Sequence, residues 1–332
     1  MKNSPRAERG PKVTHLSVGG GGAAGFEFIG IFHALQLWGY AQHIRHIASI
    51  SIGTFFAAFF AMDYDMIKVR HRLERFSADP NALRISPMAM LRLPTTLYLY
   101  DVDQLLLPLK DAMLEKWPDE THASLEAMTL QQFCARCGRE LYIVCSNLCT
   151  GRPAIATSTS PVFMSAPFLD VVRASMALPF LLRPVQIGEC IYGDGGITCD
   201  NPWLAFAQES AAADSALQIV ITSHPPDAPH PGETITDASK LLTPVRSIGH
   251  YLQAILQSSV WHKSAFLMPS LSDHIICVEN PVMPLLPLRI TKTGLIIDIT
   301  PRKVEAAYAN GVDLFLKWSA RQGRCHHPVA EK

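Results

Sequence analysis

Ser51 stands where a strand-like run, His43 to Ile50, gives way to a stretch from Gly53 to Met62 that is apolar almost all round, as a buried helix is. A serine squeezed into a strand-to-helix turn projects its hydroxyl out of the sheet above the positive end of a helix. That geometry turns an ordinary alcohol into a nucleophile. Such a turn normally reads glycine-x-serine-x-glycine. Here Gly53 supplies the second glycine, and Ser49 stands in the place of the first.

A serine nucleophile needs donors for the oxyanion that its attack creates and an acceptor for its proton. Four consecutive glycines, Gly19 to Gly22, followed by Gly25, come directly after the strand candidate Val13 to Val18. Successive glycine amides beside a helix N-terminus can converge on a developing negative oxygen. A loop on the first strand and a nucleophile on the second would lie side by side in a parallel sheet. The spacing Gly20-x-Gly22-x-x-Gly25 also matches a dinucleotide fingerprint, which keeps a nucleotide-binding α/β domain as a rival reading. That fingerprint asks for a carboxylate about twenty residues on, yet none occurs between Glu27 and Asp63. For the base, none of the thirteen histidines has a marked setting. His224 opens a proline-rich run, and His71 and His262 fall on polar helix faces. Asp194, set between Gly193 and the pair Gly195 and Gly196 at a strand end, can approach a neighbouring backbone closely. In isolation Asp-Gly is also a common turn.

The elements that must position these residues alternate. Val13 to Val18 and His43 to Ile50 read as strands, and Phe26 to Trp38 as the helix between them, stopped by Gly39. This is the pattern of a parallel sheet covered by helices. Ala61 to Glu120 reads as mostly helical, broken by Pro80, Pro87, Pro94 and Pro108. Further strands are expected at Leu141 to Cys145, Val185 to Tyr192 (a pair running on to Asp194), Leu217 to Thr222, His274 to Val278 and Leu295 to Ile299. Helices are expected at Phe168 to Leu178, Thr236 to Ala265, and from the Thr300–Pro301 cap to Trp318. The domain organisation expected is a flexible segment over 1–12, a catalytic core over 13–223, and a helical extension over 224–332 packed on the same domain. It enters through a linker, His224 to Glu233, that holds four prolines.

The 332 residues can bury a large core; 48% are hydrophobic, 17% are charged, and the formal net charge is zero. No basic field exists for nucleic acid, so that partner class is set aside. Met1 to Lys12 has no apolar leader, and no apolar run reaches the ~18 residues of a membrane span. With eight scattered cysteines read as reduced thiols, a cytoplasmic location is expected. Peripheral membrane association and export by another route stay open.

The combination of Gly20 to Gly22 with Gly25, Ser51-x-Gly53, Arg173-Ala-Ser175-x-Ala177-x-Pro179, and Asp194-Gly-Gly196 with Asn201-Pro202 resembles the patatin-like phospholipase family. The blocks stand in the family's order and span about residues 13 to 205. The resemblance implies a three-layer α/β/α sandwich with a mostly parallel central sheet, and hydrolysis of acyl esters of phospholipids or related lipids. It implies Ser51 as nucleophile, Asp194 as base without a histidine, an oxyanion hole from Gly20, Gly21 and Gly22, and support from Gly53, Gly195 and Gly196. Arg173 to Pro179 would be structural, with Ser175 packing or capping rather than attacking. No cofactor or metal is implied. The partner implied is a lipid substrate at a membrane or micelle surface; an activating protein is left open. Ala24 departs from the arginine that the family's loop usually carries, and Ser49 from its glycine. These two departures motivate another rival, a non-catalytic relative that binds lipid or a partner.

Two further groups invite readings. Cys134, Cys137, Cys145 and Cys149 suggest zinc, but Cys145 lies in a strand and the pairs are closely spaced, so free thiols are the expectation. Met88 to Tyr100, followed by Leu105 to Leu107 and flanked by Arg84 and Arg92, is apolar and proline-broken. It reads either as a lid that meets lipid or as a cap on the core; Tyr251 to Trp261 is a weaker candidate of the same kind.

Overall fold

All four residues of strand β1 (His15–Val18) are buried, as expected of a parallel strand covered on both faces. The computed structural model describes residues 13–96, 98–199, 201–206, 215–221, 274–278, 281–284, 286–291 and 294–322. After β1 the chain passes through the glycine loop and a 3₁₀ turn (Gly22–Glu27) into α1 (Phe28–Leu37). Then come β2 (His46–Ile50) and α2 (Ile52–Ala61), which is buried from Gly53 onward. Helix α3 (Met66–Ala78) follows, with the Asp65 carboxylate accepting from the Ile67 N–H at 2.8 Å as its N-cap. Next are β3 (Arg84–Ile85), α4 (Pro87–Thr96), β4 (Tyr98–Tyr100), α5 (Val102–Lys116), α6 (His122–Ala127) and α7 (Leu130–Cys137), the last two opened by capping boxes at Thr121 and Thr129. The remaining elements are β5 (Glu140–Asn147), β6 (Arg152–Ala156), α8 (Phe168–Met176), β7 (Phe180–Leu182), β8 (Val185–Ile187), β9 (Cys190–Asp194), β10 (Ala216–Ile221), β11 (Ile275–Val278), β12 (Leu288–Thr291), β13 (Gly294–Ile297) and α9 (Pro301–Arg321).

The main sheet runs β11-β10-β1-β2-β5-β9-β8, with β6 also on β5. Strands β11, β10, β1, β2 and β5 are parallel, while β6, β9 and β8 pair antiparallel. Alternate residues of β2 face opposite ways: Ile47 enters the main core, whereas Ala48 packs with Phe206 of the 3₁₀ turn Pro202–Phe206. The mostly parallel sheet flanked by helices is the three-layer α/β/α arrangement expected from the sequence.

Helix α9 opens at Thr300, whose hydroxyl accepts from the Lys303 N–H, with Pro301 in the first turn as the sequence predicted. It packs along α1 at backbone contact. A Cβ on Gly30 would lie 2.0 Å from the Tyr308 carbonyl oxygen, and one on Gly311 2.0 Å from that of Glu27. Glu27 is itself fully buried, its Oε1 accepting the Val282 N–H at 2.5 Å, and burial pushes its carboxyl up to about 7.

The expected helical stretch from Ala61 to Glu120 is interrupted by β3 and β4, whose partners are distant: β3 pairs with β13 and β4 with β7. Two- and three-residue strands carry no periodicity of their own, so they leave no local signal. The expected strand Leu295 to Ile299 falls on β13, which belongs to the small sheet β12-β13-β3 and not to the main one. The 1–12 segment, the linker His224 to Glu233, the helix Thr236 to Ala265 and Tyr251 to Trp261 lie outside the described residues.

Because the α1–α9 crossing leaves no room for a methyl group, Gly311→Ala should lower the unfolding free energy by about 2–3 kcal/mol. Urea denaturation of the two chains side by side measures it.

Candidate active site

The site forms along one edge of β5. Strand β2 pairs with residues 140–144 of β5, and β6 with residues 143–147, so these two occupy opposite edges. Strand β9 pairs with residues 145–147 and must therefore share the edge used by β2. The two run toward each other along it: Ile50 pairs with Val144, and Asp194 with Cys145 on the next step. Ser51 and Asp194 thus arrive at one point from opposite directions. The Ser51 hydroxyl donates to Asp194 Oδ2 at 2.6 Å, and both residues are buried.

Each partner is held by backbone. Ser51 has φ 55° and ψ −131°, a conformation that costs a non-glycine residue about 1–3 kcal/mol. Its amide donates to Ser175 Oγ at 3.0 Å, and the Ser175 hydroxyl donates to the Val144 carbonyl at 2.8 Å, tying the turn to β5. Gly53 lets α2 start against β1: a Cβ there would lie 2.4 Å from the Gly19 carbonyl oxygen. Asp194 donates its N–H to the Ala177 carbonyl (3.0 Å) and its carbonyl accepts the Ser146 hydroxyl (2.7 Å). Its Oδ1 accepts the Gly196 N–H at 2.8 Å. Gly195 is needed by approach, since its Cβ would fall 2.3 Å from the Val144 carbonyl oxygen.

Burial pushes the Asp194 carboxyl up to about 6, opposed by the hydrogen bonds from Ser51 and Gly196. A carboxylate in that range is ionised at neutral pH yet basic enough to take a proton from the alcohol it touches.

The glycine loop borders the pair. Gly19 donates the last bond to β10, to the Ile219 carbonyl at 2.9 Å, and the loop then leaves the sheet. Gly20 passes so near Ser51 that a Cβ on it would lie 3.2 Å from the Ser51 Cβ. Gly21 and Gly22 take φ 154° and 52° to start the 3₁₀ turn. Against this junction opens a cavity whose walls include Phe26, Phe55, Leu73, Leu105, Leu181 and Ile297. Ser51 and Ser77 are the only polar side chains lining it among the described residues.

Ser49 does not crowd its neighbour. Its buried hydroxyl accepts from Thr54 Oγ1 at 3.1 Å, and Thr54 Oγ1 lies 3.0 Å from Ser175 Oγ. The side chain at the missing glycine thus joins a hydroxyl cluster beneath the turn. Sequence reasoning singled out Ser49 and Ser175 but passed over Thr54. A threonine in the first turn of a helix, able to bond backwards, was the available signal. Ala24 is buried. Arg173 pairs with Asp103, Asp170 and Glu126 and so braces α8 against α5 and α6.

His71 is exposed on α3 beside Arg70, and His224 and His262 fall outside the described residues. Cys134 and Cys137 lie on α7, Cys145 in β5 and Cys149 in the turn after it, all as free thiols.

With this geometry in view, the sequence pattern of the family described as Patatin-like phospholipase matches residues 16–207, and the chain belongs to that family. Over 226 residues it is 24% identical to Uncharacterized protein R571 of Acanthamoeba polyphaga mimivirus, covering 68% of this chain and 71% of that one. It is 25% identical over 210 residues to Lysophospholipase NTE1 of Lodderomyces elongisporus, covering 61% of this chain and only 12% of the length of that relative. The crystal structure of VipD from Legionella pneumophila has the same fold, with a TM-score of 0.51 and 16% identity over 94% of this chain and 67% of that one.

Ser175→Ala leaves the Ser51 amide without its acceptor in a buried, strained turn. We expect a loss of about 1–3 kcal/mol in stability, read by chemical denaturation.

Proposed function

We propose that the chain is a serine acyl hydrolase that cleaves ester bonds of phospholipids or related lipids, with Ser51 as nucleophile and Asp194 as its base. The observation that carries this reading is the 2.6 Å hydrogen bond from the Ser51 hydroxyl to a buried carboxylate at an apolar cavity. A cavity with this almost wholly apolar lining suits an acyl chain. Membership of a phospholipase family and similarity to a lysophospholipase support the same substrate class.

In the proposed reaction Ser51 Oγ attacks the ester carbonyl carbon while its proton passes to Asp194 Oδ2. The carbonyl oxygen gains charge in the tetrahedral intermediate, and amides of Gly20, Gly21 and Gly22 donate to it beside the N-terminus of α2. The intermediate collapses by breaking the bond to the leaving alkoxide, which takes the proton from Asp194. Water then attacks the acyl-serine, again giving its proton to Asp194, and the fatty acid leaves as Ser51 regains its hydrogen. No histidine is required, because the carboxylate touches the hydroxyl directly.

Ser51→Ala and Asp194→Asn should each abolish hydrolysis of phospholipid and lysophospholipid in a release assay while circular dichroism stays unchanged. Full turnover in either variant would rule this mechanism out. Because the base must be ionised, kcat/KM of the unmodified chain should climb with pH through about 6 and level off above it. Asp194→Asn should also stabilise the fold in a pH-dependent way. The folded carboxyl lies near 6 against 3.8 when unfolded, so the proton is held more tightly in the folded state. The stability that the protonated carboxyl supplies is full below pH 3.8 and is lost as the pH rises through 6. Above that, the asparagine chain should be more stable by about 3 kcal/mol, and below pH 4 by about nothing. Thermal melts at both ends of the range test it.

A further inference from the structure

Helix α4 buries none of its residues and holds Met88, Met90 and Leu91 at 50%, 53% and 75% exposure. It is nevertheless fixed to the candidate site at both ends. Leu83, four residues before it, lines the cavity, and β3, which follows Leu83, pairs with β13, whose Ile297 lines it too. Beyond α4, β4 pairs with β7, where Leu181 and Leu182 are also cavity walls. Phe180, at the start of β7 and opposite Tyr98, is a half-exposed aromatic held at φ 64°. Two short strand pairs therefore carry an uncovered apolar helix and an aromatic turn at the wall of the cavity. Singly exposed apolar residues are ordinary; a group of them at one cavity wall marks a surface that meets something.

The charges say what it meets. From Pro80 to Tyr100 and from Leu178 to Gly188 the chain has no Asp or Glu, but carries Arg84, Arg92 and Arg183, all exposed. Asp79, Asp101 and Glu189 bound these stretches. In a chain of zero net charge, this gathers cations among large apolar side chains, the composition of an element that lies at an anionic lipid interface. We propose that α4 and the Phe180 turn form a surface that docks onto anionic phospholipid membranes and sets the cavity at the bilayer. The inference rests on the lipid-hydrolase reading for its purpose, though docking itself requires no turnover.

The test uses the full chain carrying Ser51→Ala, so that lipid is not consumed, and co-sedimentation with vesicles of phosphatidylcholine alone or with phosphatidylserine added. Binding should favour the anionic vesicles and weaken at high salt. Arg92→Glu with Arg183→Glu should reduce it by at least about tenfold, each arginine near the surface contributing about fivefold. Met88→Ser with Leu91→Ser should reduce binding to both vesicles. In the Ser51 background, none of these substitutions should alter hydrolysis of monomeric p-nitrophenyl butyrate, which also shows that the variants fold. Equal vesicle binding by all chains, or no vesicle binding by any, would overturn the proposal. So would a dimer in analytical ultracentrifugation that the α4 serines dissolve, since the face would then belong to a second copy. Failure of p-nitrophenyl butyrate hydrolysis with vesicle binding intact would count against the hydrolase reading alone.

Discussion

Strands β2 and β9 meet end to end on one edge of β5, and the chemistry available to this protein follows from that junction. A parallel strand and an antiparallel one cannot both continue along the same edge, so both must stop where they meet. The stopping residues are Ser51 and Asp194. Their separation is fixed by the register of β5, not by flexible loops, which suits a pair that must stay in contact at 2.6 Å. The glycines around them then have a common explanation: the backbones of β1, β2, β5 and β9 crowd to one point, and at Gly53 and Gly195 a methyl group would strike a carbonyl oxygen.

Two unfavourable features are concentrated there and balanced locally. The Ser51 backbone is held in a strained conformation, offset by the bond to Ser175 and through it to Val144. The Asp194 carboxylate is buried, and only hydrogen bonds, from Ser51 and Gly196, favour its charged form. A nearby cation would hold the carboxyl lower and make it a weaker base.

Much of this was legible in the chain. The β1–loop–α1–β2 order, the turn at Ser51, the Thr300–Pro301 start of the last helix and the isolation of Asp194 among glycines are local patterns, and local physics writes them into sequence. What escaped is non-local. Strands β3 and β4 exist only because distant partners pair with them, and nothing in Tyr98–Tyr100 points to Phe180–Leu182. The role of Ser49 also needed three dimensions. As a letter it was a defect in a turn, whereas in space its hydroxyl meets Thr54 and, beyond it, Ser175.

The short pairing of β9 has a consequence for how activity and folding are related. Strand β9 is attached to β5 by three residue pairs, Cys145 with Asp194, Ser146 with Gly193 and Asn147 with Tyr192, and its other partner is the hairpin strand β8. The parallel strands beside it are embedded in a core of buried phenylalanines and isoleucines. Local openings draw on the most lightly attached segments first. A fluctuation that loosens this pairing would part Ser51 from a residue 143 positions later in the chain. The contact between Ser51 and Asp194 thus hangs on one of the shortest pairings of the main sheet.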